Sequence, residues 1–211
     1  VLMPHFTFHG FRYAAVEGIE NPRPEMFTAC VTHSDMRKTG EFRCSNEKVN
    51  QLQSNISWSL RDNFFDIPSD CPQRDERLGW MGDAQVFSWT AAFNRETALF
   101  FTKWMRDISA ASSLERGVPH IVPDIQGTYS SAAWSDAAVI IPWVVYQTYG
   151  DTRILEESWK CMHEWVDYIH NHVNENGLWM TNYQYGDWLA LDREMGDKSV
   201  GATDVYFVAN A

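Results

Sequence analysis

The chain has 211 residues, a formal net charge of −11 and a pI near 5.0. It is 45% hydrophobic and 14% aromatic, with ten Trp, which excludes a disordered chain and supplies ample material for a packed core. An acidic chain without a Lys/Arg cluster also argues against nucleic acid and anionic membrane surfaces as partners and leaves neutral ligands open.

Residues 1–44 read as β. The stretch PHFTFHGFRYAAVEG is aromatic with period-2 segments, and MFTACVTHSDMRKTGEFRCS continues in that style after the Pro22/Pro24 turn. This is too short for a sandwich and reads as the closing strands of one. After Ser45 the period changes. Val49, Leu52, Ile56 and Leu60 fall at helical spacing, with Ser45 or Asn46 as the N-cap. A charged loop follows, and further helices are expected from about Asp83, from Arg95 or Glu96, and over WSDAAVIIPWVVYQTYG up to a C-cap at Gly150. Asp151 or Thr152 caps the next helix, DTRILEESWKCMHEWVDYIHNHV, and ATDVYFVANA begins another. Long and short connections alternate, as in helical hairpins whose long loops gather at one end. No run approaches the ~18 apolar residues of a membrane span, no signal peptide is visible, and neither compartment nor oligomeric state is assigned.

The chemistry concentrates in the long loops. DIPSDCPQRDERLGWMGDA packs Asp70, Asp75, Glu76 and Asp83 beside Trp80, on backbone that Pro72, Gly79 and Gly82 keep from being regular helix. Converging carboxylates repel, which raises at least one pKa, while Arg74 and Arg77 keep others ionised. A carboxyl held protonated near neutral pH is a general acid; a salt-bridged loop joining two helices is the structural alternative. Trp80, Trp134 and Trp188 each stand near a carboxylate: Asp83, Asp136 and Asp187. Sugars ask for this pairing, because their C–H faces lie on aromatic rings while their hydroxyls bond to carboxylates and Arg. Trp58, Trp89, Trp104, Trp143, Trp159 and Trp165 are assigned to core or helix packing.

Other chemistries find little support. Calcium-loop spacing is absent, and HExxH fails after His163 because position 167 is Asp. Cys30, Cys44, Cys71 and Cys161 form no CxxC pair and read as free thiols. No G-x-S-x-G, phosphate loop or dinucleotide fingerprint occurs, so no cofactor and no metal are expected. The residues alone point to a carbohydrate site with acid/base carboxylates on helical hairpins. A glycosidase of another helical-hairpin, (α/α)6 family or a polysaccharide lyase acting on a different sugar, a non-catalytic sugar-binding protein and a purely structural helical domain remain the alternatives.

DCPQRDERLGWMGDA resembles the signature loop of the α-L-rhamnosidases of glycoside hydrolase family 78. PHFTFHGFRY resembles the end of the β-sandwich that precedes their catalytic domain, and WSDAAVIIPW and YGDWLA resemble two further pocket segments. The resemblance implies an (α/α)6 barrel of six hairpins and an inverting mechanism. On matching positions it implies Glu76 as general acid, Asp70, Arg74 and Asp83 on rhamnose hydroxyls, and Trp80, Trp134 and Trp188 as apolar walls that include a place for the C5 methyl. Asp136 and Asp187 are further pocket candidates, and Asp75 faces away. The family's general base is a Glu in the second half of the barrel, and no Glu here matches it. Residues 1–44 are therefore expected to close a β-sandwich and residues 45–211 to form the first half of the catalytic barrel. The 211-residue chain alone is expected to be inactive.

Overall fold

The computed structural model describes residues 2–127, 129–179, 181, 184–186 and 188. Asp187 and the helix expected in ATDVYFVANA lie outside the described residues. Helix α1 spans Glu47–Asn63, and its N-cap Asn46 accepts the Lys48 N–H at 3.0 Å. A short antiparallel hairpin follows, β1 (Phe64–Phe65) and β2 (Ile67–Pro68). Then come α2 (Met81–Asn94), α3 (Ala98–Ala111), α4 (Ala137–Tyr149) and α5 (Arg153–His172). Gly150 closes α4 at φ 67°, and Asp151 accepts the Arg153 N–H that opens α5. The expected start of α3 at Arg95 or Glu96 falls instead at Ala98. Both residues are engaged earlier: Arg95 bridges Lys38, and the Glu96 N–H donates to the Arg37 carbonyl.

Short links at 95–97 and 150–152 join α2 to α3 and α4 to α5, while long segments at 64–80 and 112–136 separate the hairpins. Helix α4 packs against α2, α3 and α5. It can do so because AAVIIPWVVYQTY carries no charge, and a helix that is apolar on most sides belongs inside. Around it lie Trp104, Phe101 and Ile108 of α3 and Trp165 and Ile154 of α5, all almost fully buried. Each contributes roughly 1.5–3 kcal/mol by leaving water. The 112–136 segment belongs to this core rather than covering it. Val118, Ile121 and Val122 are buried, and the Trp104 indole N–H donates to the Val122 carbonyl at 3.1 Å.

Three sequence expectations differ from the structure. Residues 2–44 form no strand: they hold a 3-10 turn at Pro24–Met26 and the Lys38–Arg95 bridge, and most are exposed. Alternating apolar residues make a strand only where a neighbouring strand takes their backbone groups, and this segment finds none among the described residues. Of the apolar face expected on α1, only Leu60 is buried, since that helix packs chiefly on β1. Of the six tryptophans assigned to packing, Trp104 and Trp165 are buried, whereas Trp58, Trp89, Trp143 and Trp159 are exposed. Helix spacing places a side chain on a face but does not say what covers it.

Candidate active site

The two long segments meet at one end of the hairpins. Trp80 bridges Ile121, the Met81 N–H donates to the His120 carbonyl at 3.0 Å, and the Val122 N–H donates to the Gly79 carbonyl at 2.8 Å. The glycines of the charged loop make this contact possible. A Cβ on Gly79 would stand 1.9 Å from the Val122 oxygen, and one on Gly82 would stand 2.7 Å from the Trp134 ring. Neither position admits a side chain without moving the opposite wall.

Within the loop, Asp70 is pinned by its own chain. Its N–H donates to the Leu78 carbonyl at 3.0 Å, and the Leu78 N–H donates to Asp70 Oδ1 at 2.8 Å. Glu76 is held from both sides. Arg74 reaches Oε2 through Nε at 2.8 Å and Nη2 at 2.6 Å, and the Trp80 indole N–H donates to Oε1 at 3.1 Å. Carboxylate oxygens of Asp70 and Glu76 and the Cys71 thiol lie within 4.8 Å of one another. The expected repulsion therefore exists, and it falls on Asp70. Loss of solvation and the neighbouring Glu76 push the Asp70 carboxyl up to about 6. Glu76 moves the other way, lowered by a hydrogen bond with Asp70 and then by Arg74 and Trp80. The two titrate as a coupled pair whose first proton goes to Asp70. The Asp70–Cys71–Glu76 trio is also the one group among the described residues close enough to hold a metal ion, but Arg74 already supplies the positive charge at Glu76.

Asp70 opens into a cleft of about 540 Å³, within the range of small-molecule sites. Asp83, Trp134, Trp188, Phe64 and Phe87 line it as well. Asp83 reaches solvent by area, but it stands in a concavity whose walls displace bulk water, and this raises its carboxyl above the usual range. Glu76, Arg74 and Trp80 do not line the cleft and join it through Asp70. Asp136 lies elsewhere. One oxygen accepts the Ala133 N–H at 2.8 Å and the other the Trp165 indole N–H at 2.9 Å, and burial raises its pKa. Asp75 is exposed. Arg77, expected to keep a carboxylate ionised, donates instead to the Phe8 carbonyl at 2.9 Å.

Sequence reasoning missed two residues that join the three tryptophans. Tyr185 meets Trp134 at 4.4 Å between ring centroids and stands edge-on to Trp80 at 5.8 Å and Trp188 at 5.7 Å. Its hydroxyl lies 3.0 Å from Nε2 of His120, which stacks on Trp80 at 5.6 Å. Burial lowers the His120 pKa and keeps the imidazole neutral. The available signal was modest: His120 is the one His of the 112–136 segment, and Tyr185 begins YGDW.

The chain is similar to known proteins over most of its length. The family described as bacterial alpha-L-rhamnosidase 6 hairpin glycosidase domain matches residues 37–211, and the bacterial alpha-L-rhamnosidase concanavalin-like domain matches residues 1–33. A curated alpha-L-rhamnosidase of Formosa agariphila is 44% identical over 92% of this chain and 21% of its own length. The structure of alpha-L-rhamnosidase from Dictyoglomus thermophilum superposes with a TM-score of 0.77 at 35% identity, over 84% of this chain and 20% of that one. The Streptomyces avermitilis alpha-L-rhamnosidase, solved in complex with L-rhamnose, gives a TM-score of 0.73 at 37% identity, over 80% of this chain and 16% of that one. The chain spans about a fifth of the length of the curated relatives it matches.

Proposed function

We propose, because this chain belongs to the bacterial alpha-L-rhamnosidase 6 hairpin glycosidase family, that it supplies the acid side of a site that releases terminal α-L-rhamnose from glycosides with inversion. Residues 1–44 then close a β-sandwich domain, and residues 45–211 form the first half of the catalytic barrel. Glu76 protonates the glycosidic oxygen as the C1–O bond breaks. Water attacks C1 from the opposite face, and its proton goes to a second carboxylate outside these residues. In inverting enzymes the two carboxyls stand about 6.5–9.5 Å apart, with the water between them. Asp70, Arg74 and Asp83 hold sugar hydroxyls, and Trp80, Trp134 and Trp188 supply apolar surface, including a place for the C5 methyl. A carbohydrate is the only partner proposed.

The observation that carries this reading is the Asp70–Glu76 pair, whose Asp70 lines the cleft, with one carboxyl raised to about 6 and the other lowered. Two carboxyls whose surroundings push their pKa values apart mark an acid/base site. Before sugar binds, Asp70 is the tighter holder of the pair's proton, and Arg74 favours the ionised Glu76. When Arg74 turns to a sugar hydroxyl, Glu76 loses its cation and becomes the better base of the pair. It then takes the proton from Asp70 and passes it to the leaving oxygen. Asp136, with both oxygens engaged, holds the 133–136 turn against α5 rather than touching sugar.

The test is hydrolysis by the full-length protein of p-nitrophenyl α-L-rhamnoside against other p-nitrophenyl glycosides, with the anomer released followed by proton NMR. The expected result is selective hydrolysis with β-L-rhamnose formed first. Preference for another glycoside, or α-L-rhamnose as first product, contradicts the proposal.

A further inference from the structure

Arg77 is the cation of the signature loop that the proposed chemistry does not use. Its backbone is left-handed at φ 56°, a conformation that a non-glycine residue holds only when its surroundings enforce it. It turns away from the carboxylates toward the N-terminal segment, where Nη1 donates to the Phe8 carbonyl and the guanidinium lies 5.1 Å from the Phe8 ring centroid. The same ring meets Phe65 of β1 at 4.8 Å between centroids. Two residues on, Gly10 runs so close to the loop that a Cβ there would stand 2.9 Å from Gln73 Cβ. Most of residues 2–32 are exposed, and Phe8 is the partly buried exception. The segment therefore touches the loop at Gln73 and Arg77, on either side of Arg74 and Glu76.

We infer that residues 8–10, within the part matched by the concanavalin-like domain, act as a strap that holds the loop in the shape its chemistry needs. Phe8 and Gly10 are positioning residues, and the activity part of this inference rests on the proposed function. The route is short. Arg77 precedes Leu78, whose N–H and carbonyl both bond to Asp70. Clamping Arg77 fixes the peptide that fixes Asp70, and Asp70 is faced by Glu76 and Cys71. If the strap lifts, Arg77 relaxes toward an ordinary conformation, Leu78 leaves Asp70, and the carboxylate pair loses its register. The catalytic loop thus depends on a segment that precedes the first helix of its own domain.

The experiment uses the full-length protein with Phe8→Ala, Phe8→Tyr and Gly10→Val. Limited trypsin digestion, read by mass spectrometry, follows cleavage after Arg74 and Arg77, and kinetics are measured on an aryl α-L-rhamnoside. For Phe8→Ala and Gly10→Val the expected results are faster cleavage at these two sites and a kcat lower by about 10- to 100-fold, since a small misplacement of catalytic groups costs that much. KM should change less and the thermal midpoint little, and Phe8→Tyr, which keeps the ring, should restore both readouts. Wild-type trypsin resistance and kcat in both disrupting variants overturn the strap. Equal loss in Phe8→Tyr and Phe8→Ala also overturns it, because the ring is then not what holds the loop. Should the wild-type protein not hydrolyse rhamnosides at all, the functional reading fails while the trypsin pattern still decides the strap.

Discussion

Two loops of this molecule place a carboxylate near a tryptophan, and they put it to different physical use. In the 70–83 loop, Glu76 accepts the Trp80 indole N–H, but Arg74 is half-exposed and can leave, and Asp70 opens into the cleft with its carboxyl raised. In the 129–136 segment, Asp136 accepts the Trp165 indole N–H and the Ala133 N–H and is largely enclosed. The first arrangement has a detachable partner and a proton to move. The second is satisfied and fixed. The pairing of Trp with Asp or Glu in sequence is therefore not by itself a mark of chemistry; what decides is whether the carboxylate's partners can be exchanged for a ligand.

Substitutions separate the two. Glu76→Gln in the full-length protein is expected to lower turnover of natural rhamnosides about 10²–10⁴-fold, the range of a lost general acid, with folding unaffected in thermal denaturation. The apolar walls have a smaller effect. α-L-Rhamnosides are expected to exceed the corresponding α-L-mannosides by about 10–200-fold in kcat/KM, because these two sugars differ only in bearing a methyl against a hydroxymethyl on C5. Equal rates would remove the role given to Trp134 and Trp188. Asp136→Asn is expected to act on stability alone. It places an amide among two N–H donors and costs about 1–3 kcal/mol by chemical denaturation, with kcat/KM per folded molecule unchanged. A raised KM would instead place Asp136 on the sugar.

The pH dependence sharpens the same contrast. The pair is competent while it holds a proton to donate. As pH rises through about 6, Asp70 loses that proton, so kcat/KM is expected to fall on this alkaline side. On the acid side, activity falls as the second carboxylate, the base that activates water, takes a proton. Trp80→Phe keeps a ring against His120 but removes the N–H from Glu76. Without that donor the pair holds its proton more tightly, so the alkaline limb should move to higher pH and the acid limb should stay, with a modest loss of rate. An alkaline limb unmoved in Trp80→Phe would separate the indole from the acid.

Much of the helical part was legible because its signals are local. The Asn46 cap, the Gly150 terminus and the uncharged run of α4 each declare themselves within a turn or two. The N-terminal β pattern was equally local, yet its strands need partners that this segment does not find. At the site, the density of carboxylates around Trp80 pointed to the loop, but Arg74 holds Glu76 itself rather than a carboxylate beside it. The sequence could not say which carboxyl would be raised, because that depends on how deeply the fold sets Asp70. It also could not say that Arg77 would turn to Phe8, or that His120 and Tyr185 would join three tryptophans. Those contacts link residues far apart in the chain, and no spacing rule reaches them.

The central claim is that Glu76 delivers the proton to the leaving oxygen, and leaving-group dependence tests it most directly. Glu76→Gln and wild-type full-length protein would be compared on α-L-rhamnosides whose leaving groups run from alkyl alcohols to activated phenols. The account predicts that the variant's loss is largest for alkyl leaving groups, which need a proton, and shrinks steadily toward the most acidic phenol. The same fractional loss across the whole series would contradict it and assign Glu76 to binding.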